Sequence, residues 1–519
     1  MNNLSKNIAF LPIFCICLFT VAPAFANVKL PAIFSDGMVL QQQSKVSFWG
    51  WADAGEAITI SGSWPAGKAV RTIADASGSW KLMMPTPAAG GPFTVSVAGK
   101  NNIILSDVLV GEVWVCSGQS NMGFTLKADA NAKEEIAKAD YPTLRYFSVK
   151  RQYGPGVFKD AEGSFWEKTS PATAPGFSAV AFYFAKKIQA ELQVPVGIVF
   201  AAWGGTPAEA WTPAAVFKND AVLSRYLTRW KDMYLTVGKD STNYHKALDN
   251  WEKARENGDS TLTKKPEEPA TLVWFNRPWR EPSVLFNGMI NPVIPYGIKG
   301  VLWYQGESNV NFADEYVRLF GNMIKSWRRQ WGNRKDLPFY FVQIAPFAYS
   351  SLDAAARLRD AQYQVMQQVP NTGMAVTMDV GNMKDQHFTH KKEVGDRLAF
   401  IAMAKNYGAK TTAYKGPECK NAKIENGQVA IAFSTTTPGL TIKGKTLNGF
   451  EIGYRLPESD SIVYTNASAF IKDNKVILTA SLPGKGVEVR YGWLQAGTAN
   501  LFDKDGLPAF PFRKKIQTN

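Results

Sequence analysis

An α/β fold built on a mainly parallel sheet, with a β-rich segment at each end, is what this 519-residue sequence predicts. Three observations predict it. Between residues 106 and 410, apolar strand-like runs alternate with stretches of helical periodicity. At 27–105 and 411–519, short alternating runs punctuated by turn residues signal antiparallel β structure. Finally, loops of small or amide-bearing residues follow directly on apolar runs, as at the carboxyl edge of an open parallel sheet, where such folds gather their sites.

The first 26 residues have the pattern of an export signal: Lys6, an apolar core at 8–21, and Ala24-Phe25-Ala26 before Asn27. The run is short for a membrane span and ends in Pro23 and small residues, so cleavage is expected rather than anchoring. Neither Cys15 nor Cys17 follows a small residue as a lipid-modified cysteine would. Cys116 and Cys419 are then the cysteines left, too few for a disulfide framework. An exported protein of bacterial type, periplasmic or extracellular, is the expectation.

Segment 27–105 offers strand-like runs at 45–51 and 57–61, and a pair at 70–74 and 80–84 around Asp75-Ala76-Ser77-Gly78. This small β-domain is expected to support the core; carbohydrate binding is the sharper alternative. In the α/β segment, strands are expected at 113–116, 144–149, 196–202, 298–304, 339–344 and 374–379. Ser178 reads as an N-cap, and Ala181, Phe184, Ala185, Ile188 and Leu192 form one apolar stripe before Pro195. Tyr316, Leu319, Phe320, Met323 and Trp327 form another. A charged, mostly helical insertion at 213–269 carries Tyr226, Trp230, Tyr234 and Trp251, suited to a lid or a subsite wall. In 411–519, runs at 429–433, 450–454 and 487–493 read as strands, and 470–472 with 476–478 flank a hairpin turn at Asp473-Asn474.

Gly118-Gln119-Ser120-Asn121-Met122 follows the buried-strand run 113–116. A strand end fixes the backbone, the turn exposes a serine Oγ, and N–H groups opening the helix-like stretch 126–139 would face an oxyanion. A serine in this position can instead merely cap that helix. The chain has three histidines: His245 in a charged helix-like stretch, His387 and His390. Asp385-Gln386-His387 places a carboxylate two positions before an imidazole, a spacing that can fix its tautomer and leave Nε2 to take a proton. His387 and His390 could offer two metal ligands, but no third histidine is nearby, so no metal site is expected. Trp203-Gly204-Gly205-Thr206-Pro207 and Trp303-Tyr304-Gln305-Gly306-Glu307-Ser308-Asn309 follow the strand runs 196–202 and 298–302 and supply glycine and amide N–H donors. Singly, each could be no more than a tight turn.

Together these segments resemble the sialate O-acetylesterase family of SGNH (GDSL-type) hydrolases. The resemblance rests on 118–122, 203–211, 285–309, Asp385-Gln386-His387 and 393–399, with further similarity at both ends of the mature chain. It implies an SGNH-hydrolase-like three-layer sandwich flanked by N- and C-terminal β-domains. It further implies Ser120 as nucleophile, His387 as base, Asp385 as its orienter, and an oxyanion hole from the Ser120 N–H, Gly204 or Gly205, and the Gln305 side chain. Gln119, Asn121, Trp203, Glu307 and Asn309 are the candidate substrate contacts. The family usually follows this histidine with Pro and places Asn or Asp before Lys; here Phe388 and His390 stand instead.

The expected reaction is removal of O-acetyl groups from glycans, sialic acid first, with acetylated xylan, xyloglucan or pectin as alternative substrates. It needs no cofactor. Net charge is +14, scattered without long runs, which favours solubility and mild attraction to anionic glycans over nucleic-acid binding. Sugar-facing aromatic surface is expected from Trp203, Trp211, Trp279 or Trp303. The competing reaction class is glycoside hydrolysis by Glu209 and Glu307 as paired carboxylates; otherwise Glu307 is expected to hold the Gln305 loop.

Overall fold

The computed structural model describes residues 27–517 apart from 66, 259–263, 333, 350–352, 411–412, 457–460, 480–485 and 494–498. The expected export signal at 1–26 lies outside the described residues.

The organising element is one 17-residue strand, Asn102–Gly118. Its first half pairs antiparallel with Gly90–Ala98, within the N-terminal β structure. Its second half is the centre of a parallel sheet. On one side lie Val196–Ala202 and then Tyr141–Ser148; on the other lie Gly300–Tyr304, Phe339–Val342 and Thr372–Ala375. All five of these pairings are parallel, and the antiparallel strand Trp166–Thr169 closes one edge, so the sheet is mixed. The side chains of the central strand alternate between two cores. Val113 and Val115 join the aromatic cluster of Trp303, Phe320 and Trp327, whereas Trp114 and Cys116 face Phe184 and Leu398. A strand buried on both faces reads as a continuous apolar run for this reason. Helices Ala313–Gln330 and Ala354–Gln368 thus carry one face, and Ala179–Leu192 with Lys391–Asn406 the other.

The stripes read from the sequence form the expected helices. Ser178 caps the first, its Oγ accepting from the Ala181 N–H at 3.2 Å. The insertion contains the 32-residue helix Arg225–Glu256, on which His245 is exposed. Among the described residues, eight C-terminal strands form one sheet and Leu440–Ile442 pairs separately with Leu501–Asp503; Ser468–Lys472 and Lys475–Thr479 pair about Asp473 and Asn474, both at positive φ. This sheet docks on the Ala354–Gln368 helix, where the Tyr363 hydroxyl donates to Glu418 Oε1 at 2.7 Å. Cys116 and Cys419 are free and buried.

Three local expectations are corrected. Val70–Ile73 and Ser79–Pro85 do not pair with each other. The first joins Ala57–Gly62 and the second joins Lys45–Trp51, because Asp75 Oδ1 accepts from Ser77 N and Ser79 N and turns the chain between two sheets. The stretch 126–139 is not one helix but a 3₁₀ turn, Leu126–Ala128, and a short helix, Ala132–Ala137. Tertiary bonds pull it apart: Leu126 N donates to Phe177 O, and Asp129 accepts from the Tyr183 hydroxyl. The last parallel strand ends at Ala375, because the next carbonyl, Val376 O, accepts from Arg397 Nη1 at 2.6 Å instead of continuing the ladder.

Candidate active site

Register brings the loops together. Gly118 stands opposite Ala202 on one neighbouring strand and opposite Tyr304 on the other, so three strands end level and their loops emerge side by side. The Gln119 N–H donates to Tyr304 O at 2.9 Å and the Trp203 N–H to Gly118 O at 3.1 Å, stitching the loops at their roots. Gly118 has φ +140°, and a Cβ there would stand 2.1 Å from Tyr304 O. Only glycine permits that approach. Ser120 follows in the turn, half-buried.

The histidine comes from farther away, on the segment between the edge strand Thr372–Ala375 and the helix Lys391–Asn406. It reaches back across the sheet and is tied down by Asn121 Nδ2 donating to Gln386 O at 3.1 Å and by the Ala130 N–H donating to Thr389 O at 3.0 Å. The result is His387 Nε2 at 2.7 Å from Ser120 Oγ. Asp385 is placed differently from expectation. Its Oδ1 accepts from the His387 backbone N–H at 2.8 Å, while Nδ1 lies 3.9 Å away, beyond hydrogen-bond range. It shapes the loop through the backbone, and its carboxylate is more than half exposed.

Asp385→Asn keeps an acceptor for the His387 N–H and removes only the charge. We expect kcat on an aryl acetate to fall about tenfold, against roughly 10⁴-fold for neutralising a directly bonded triad carboxylate. A loss near 10⁴ would mean that the carboxylate closes on Nδ1 during turnover.

Gly204 stands against the serine: a Cβ on it would come 3.2 Å from Ser120 Cβ. Among the described residues no hydrogen bond uses the N–H of Ser120 or of Gly204, so both are available as donors. Gly205 is exposed at φ +71°. Gln305 is not available. It is fully buried, and its Nε2 donates to Asn309 Oδ1 at 2.6 Å and Thr206 O at 3.3 Å while its Oε1 accepts from Tyr316. Nor does a helix start aim at Ser120, since the next helical turn begins at Leu126.

Most of the expected substrate contacts are structural. Gln119 is buried and its Oε1 accepts from the N–H groups of Gly306 and Ser308. Asn309 is buried and joins loops: its Oδ1 accepts from Ala208 N and its Nδ2 donates to Glu209 Oε2 at 2.9 Å. Asn121 is buried and Glu307 half-buried, Asn121 Nδ2 donating to Glu307 Oε1 at 2.5 Å. Trp203 remains as surface. It is half-buried, stacked on Trp279 at 5.6 Å with Tyr153 edge-on at 5.9 Å and Arg151 over its ring. Trp211 and Trp303 are fully buried in the core.

The sequence reading missed Lys391. Its Nζ donates to Asn121 Oδ1 at 2.6 Å, so Asn121 stands between a buried lysine and the half-buried Glu307. Burial pushes the Lys391 ammonium down to about 7 and the Glu307 carboxyl up, each toward its neutral form. The centroid of the Phe388 ring lies 3.6 Å from Lys391 Nζ, so the ring covers the ammonium. The available signal was periodicity, since Lys391, Val394 and Leu398 share one helical stripe whose other members are apolar.

Glu209 is buried as well, and burial raises its carboxyl from 4.5 to about 7. A folded-state value above the unfolded one means that the native protein holds the extra proton between pH 4.5 and 7. Stability from this group therefore falls as pH rises through that window and stays low above it. Glu209→Gln should abolish that slope and be more stable than wild type at pH 8 by on the order of 3 kcal/mol. Urea midpoints at pH 5 and pH 8 check this; an equal gap at both pH values would contradict it. Glu209 and Glu307 are each tied to a loop amide, Asn309 and Asn121 respectively, rather than left open as a working carboxylate pair.

Residues 110–257 and 274–404 match the family described as "Carbohydrate esterase, sialic acid-specific acetylesterase". Human sialate O-acetylesterase is 30% identical over 509 residues, covering 90% of this chain and 87% of the human protein. The rat enzyme is 28% identical over 524 residues, 92% of this chain and 93% of its own. Among solved structures, a carbohydrate acetylesterase from Xanthomonas citri superposes with a TM-score of 0.77 at 32% identity, covering 94% of this chain and 99% of that one.

Proposed function

The chain belongs to the carbohydrate esterase family of sialic acid-specific acetylesterases, and from that premise we propose that it is a serine esterase that removes O-acetyl groups from glycans. The supporting observation is the 2.7 Å approach of His387 Nε2 to Ser120 Oγ across 267 residues of sequence. In the proposed reaction His387 takes the Ser120 proton as Oγ attacks the acetyl carbonyl. The negative oxygen meets the N–H groups of Ser120 and Gly204. Collapse expels the sugar hydroxyl, which receives the proton from His387, and leaves an acetyl-enzyme. Water, deprotonated by the same imidazole, then releases acetate and restores the serine. Asp385 holds the histidine loop.

Within this reading the architecture is an SGNH-hydrolase-like three-layer sandwich, divided from flanking β-domains at 27–105 and 411–519. The pattern of residues 1–26 supports export. No helix among the described residues is long and apolar enough to cross a membrane. Trp203 and Trp279 are the aromatic surface offered to the sugar.

Acetate release from a panel of O-acetylated sialosides, xylans, xyloglucans and pectins, with mass spectrometry of the products, tests the proposal. Release from at least one glycan, and faster turnover of an aryl acetate than of the butyrate, is the expected result. Release from none of them would overturn it.

A further inference from the structure

A second concave site lies beneath the insertion. The helix Arg225–Glu256 and the short helix Ala270–Phe275 enclose, with the 307–312 turn, a cavity of about 250 Å³. Its walls are aromatic: Tyr226 and Trp230 from the long helix, Trp274 from the short one, and Phe312 from the turn that follows the Gln305 loop. Trp230 and Trp274 meet edge to face at 5.7 Å. Its polar groups are few. Glu209 lines it and holds Asn309, which in turn accepts from Gln305. Tyr226 is buried and presents its ring to the cavity; its hydroxyl is sealed from solvent and, among the described residues, has no hydrogen-bond partner. Arg229 is the one cation of the lining, and it is already neutralised by a bidentate pair with Glu315 at 2.6 and 3.0 Å.

We propose that this cavity is a binding subsite for one neutral sugar ring of the glycan, separate from the Ser120–His387 site. The proposal rests on the glycan reading above. The volume falls just below the ~300–1,000 Å³ typical of drug-sized ligands, so it suits a single ring. Aromatic walls stack on the apolar faces of a pyranose, and this ring-to-ring contact is the recognition the lining offers. A carboxylated sugar is disfavoured on charge, because the lining holds an acid and a guanidinium already spent on Glu315. The Glu209–Asn309–Gln305 bonds join an occupant of this cavity to the loop beside Ser120.

Binding of unacetylated xylotetraose and cellotetraose to the full-length protein, followed by calorimetry, tests this without any turnover. At least one tetrasaccharide should bind. Trp274→Ala should weaken it about tenfold, the loss of roughly 1.4 kcal/mol, and Phe312→Ala, which removes a second wall of the cavity, about threefold. Free N-acetylneuraminic acid should not compete. The proposal is overturned by absence of tetrasaccharide binding, by unchanged affinity in both variants, or by competition from the acidic sugar. If tetrasaccharides bind in this way yet no glycan releases acetate, the subsite stands and the esterase reading falls. If acetate is released while neither variant alters tetrasaccharide binding, the reverse holds.

Discussion

Ser120→Ala is expected to lower kcat for acetate release by about 10⁴-fold or more while the protein folds normally. Among the described residues the hydroxyl makes one hydrogen bond, to His387 Nε2, and Ser120 is half-buried in a turn, so its removal opens no core cavity and orphans no buried donor. On the proposed mechanism the chemical loss is large because the covalent path disappears, leaving only what the backbone N–H groups at positions 120 and 204 and substrate binding would provide. His387→Ala should cost about as much, and the double variant little more, since groups acting as one unit lose their value together. Steady-state kinetics on an aryl acetate, with urea midpoints as the folding control, check all three. A Ser120→Ala protein retaining a tenth of wild-type activity would exclude the serine as nucleophile.

Gly118→Ala is expected to destabilise the protein by at least about 3 kcal/mol, a large effect for the addition of one methyl group. Two costs combine. At φ +140° an L side chain is strained, and a Cβ would press within 2.1 Å of Tyr304 O. That carbonyl accepts from the Gln119 N–H, so relief requires parting the strand Asn102–Gly118 from Gly300–Tyr304 where both loops leave the sheet. Activity should therefore fall along with stability. The urea midpoint of the activity loss, compared with that of far-ultraviolet circular dichroism, measures it. An unchanged midpoint with wild-type kcat would show that the two strand ends can separate freely.

Much of the fold and of the site is legible in the sequence. Ser120 and His387 stood out because a strand end and an Asp-x-His loop are local patterns, and both helical stripes formed helices where their periods placed them. Gln305 was misread for a physical reason. An amide beside a glycine is an equally good donor to an oxyanion or to a neighbouring loop, and only burial shows that Asn309 and Thr206 take it. The 126–139 stretch has helix-forming composition, yet pairing with the Phe177 carbonyl outweighs that local preference. Lys391 was overlooked because lysine is rarely buried unless paired.

What the chain determined by itself is what depends on neighbours a few positions away: alternation, helical period, turn chemistry, and which residue types sit at strand ends. Tertiary structure decided the rest. It set the level register of Gly118, Ala202 and Tyr304, the approach of His387 to Ser120, the spending of Gln305, and the shifts of Lys391 and Glu209 toward neutrality. Each of these is a matter of distance or desolvation between segments far apart in sequence, and neither quantity exists until the chain has closed on itself.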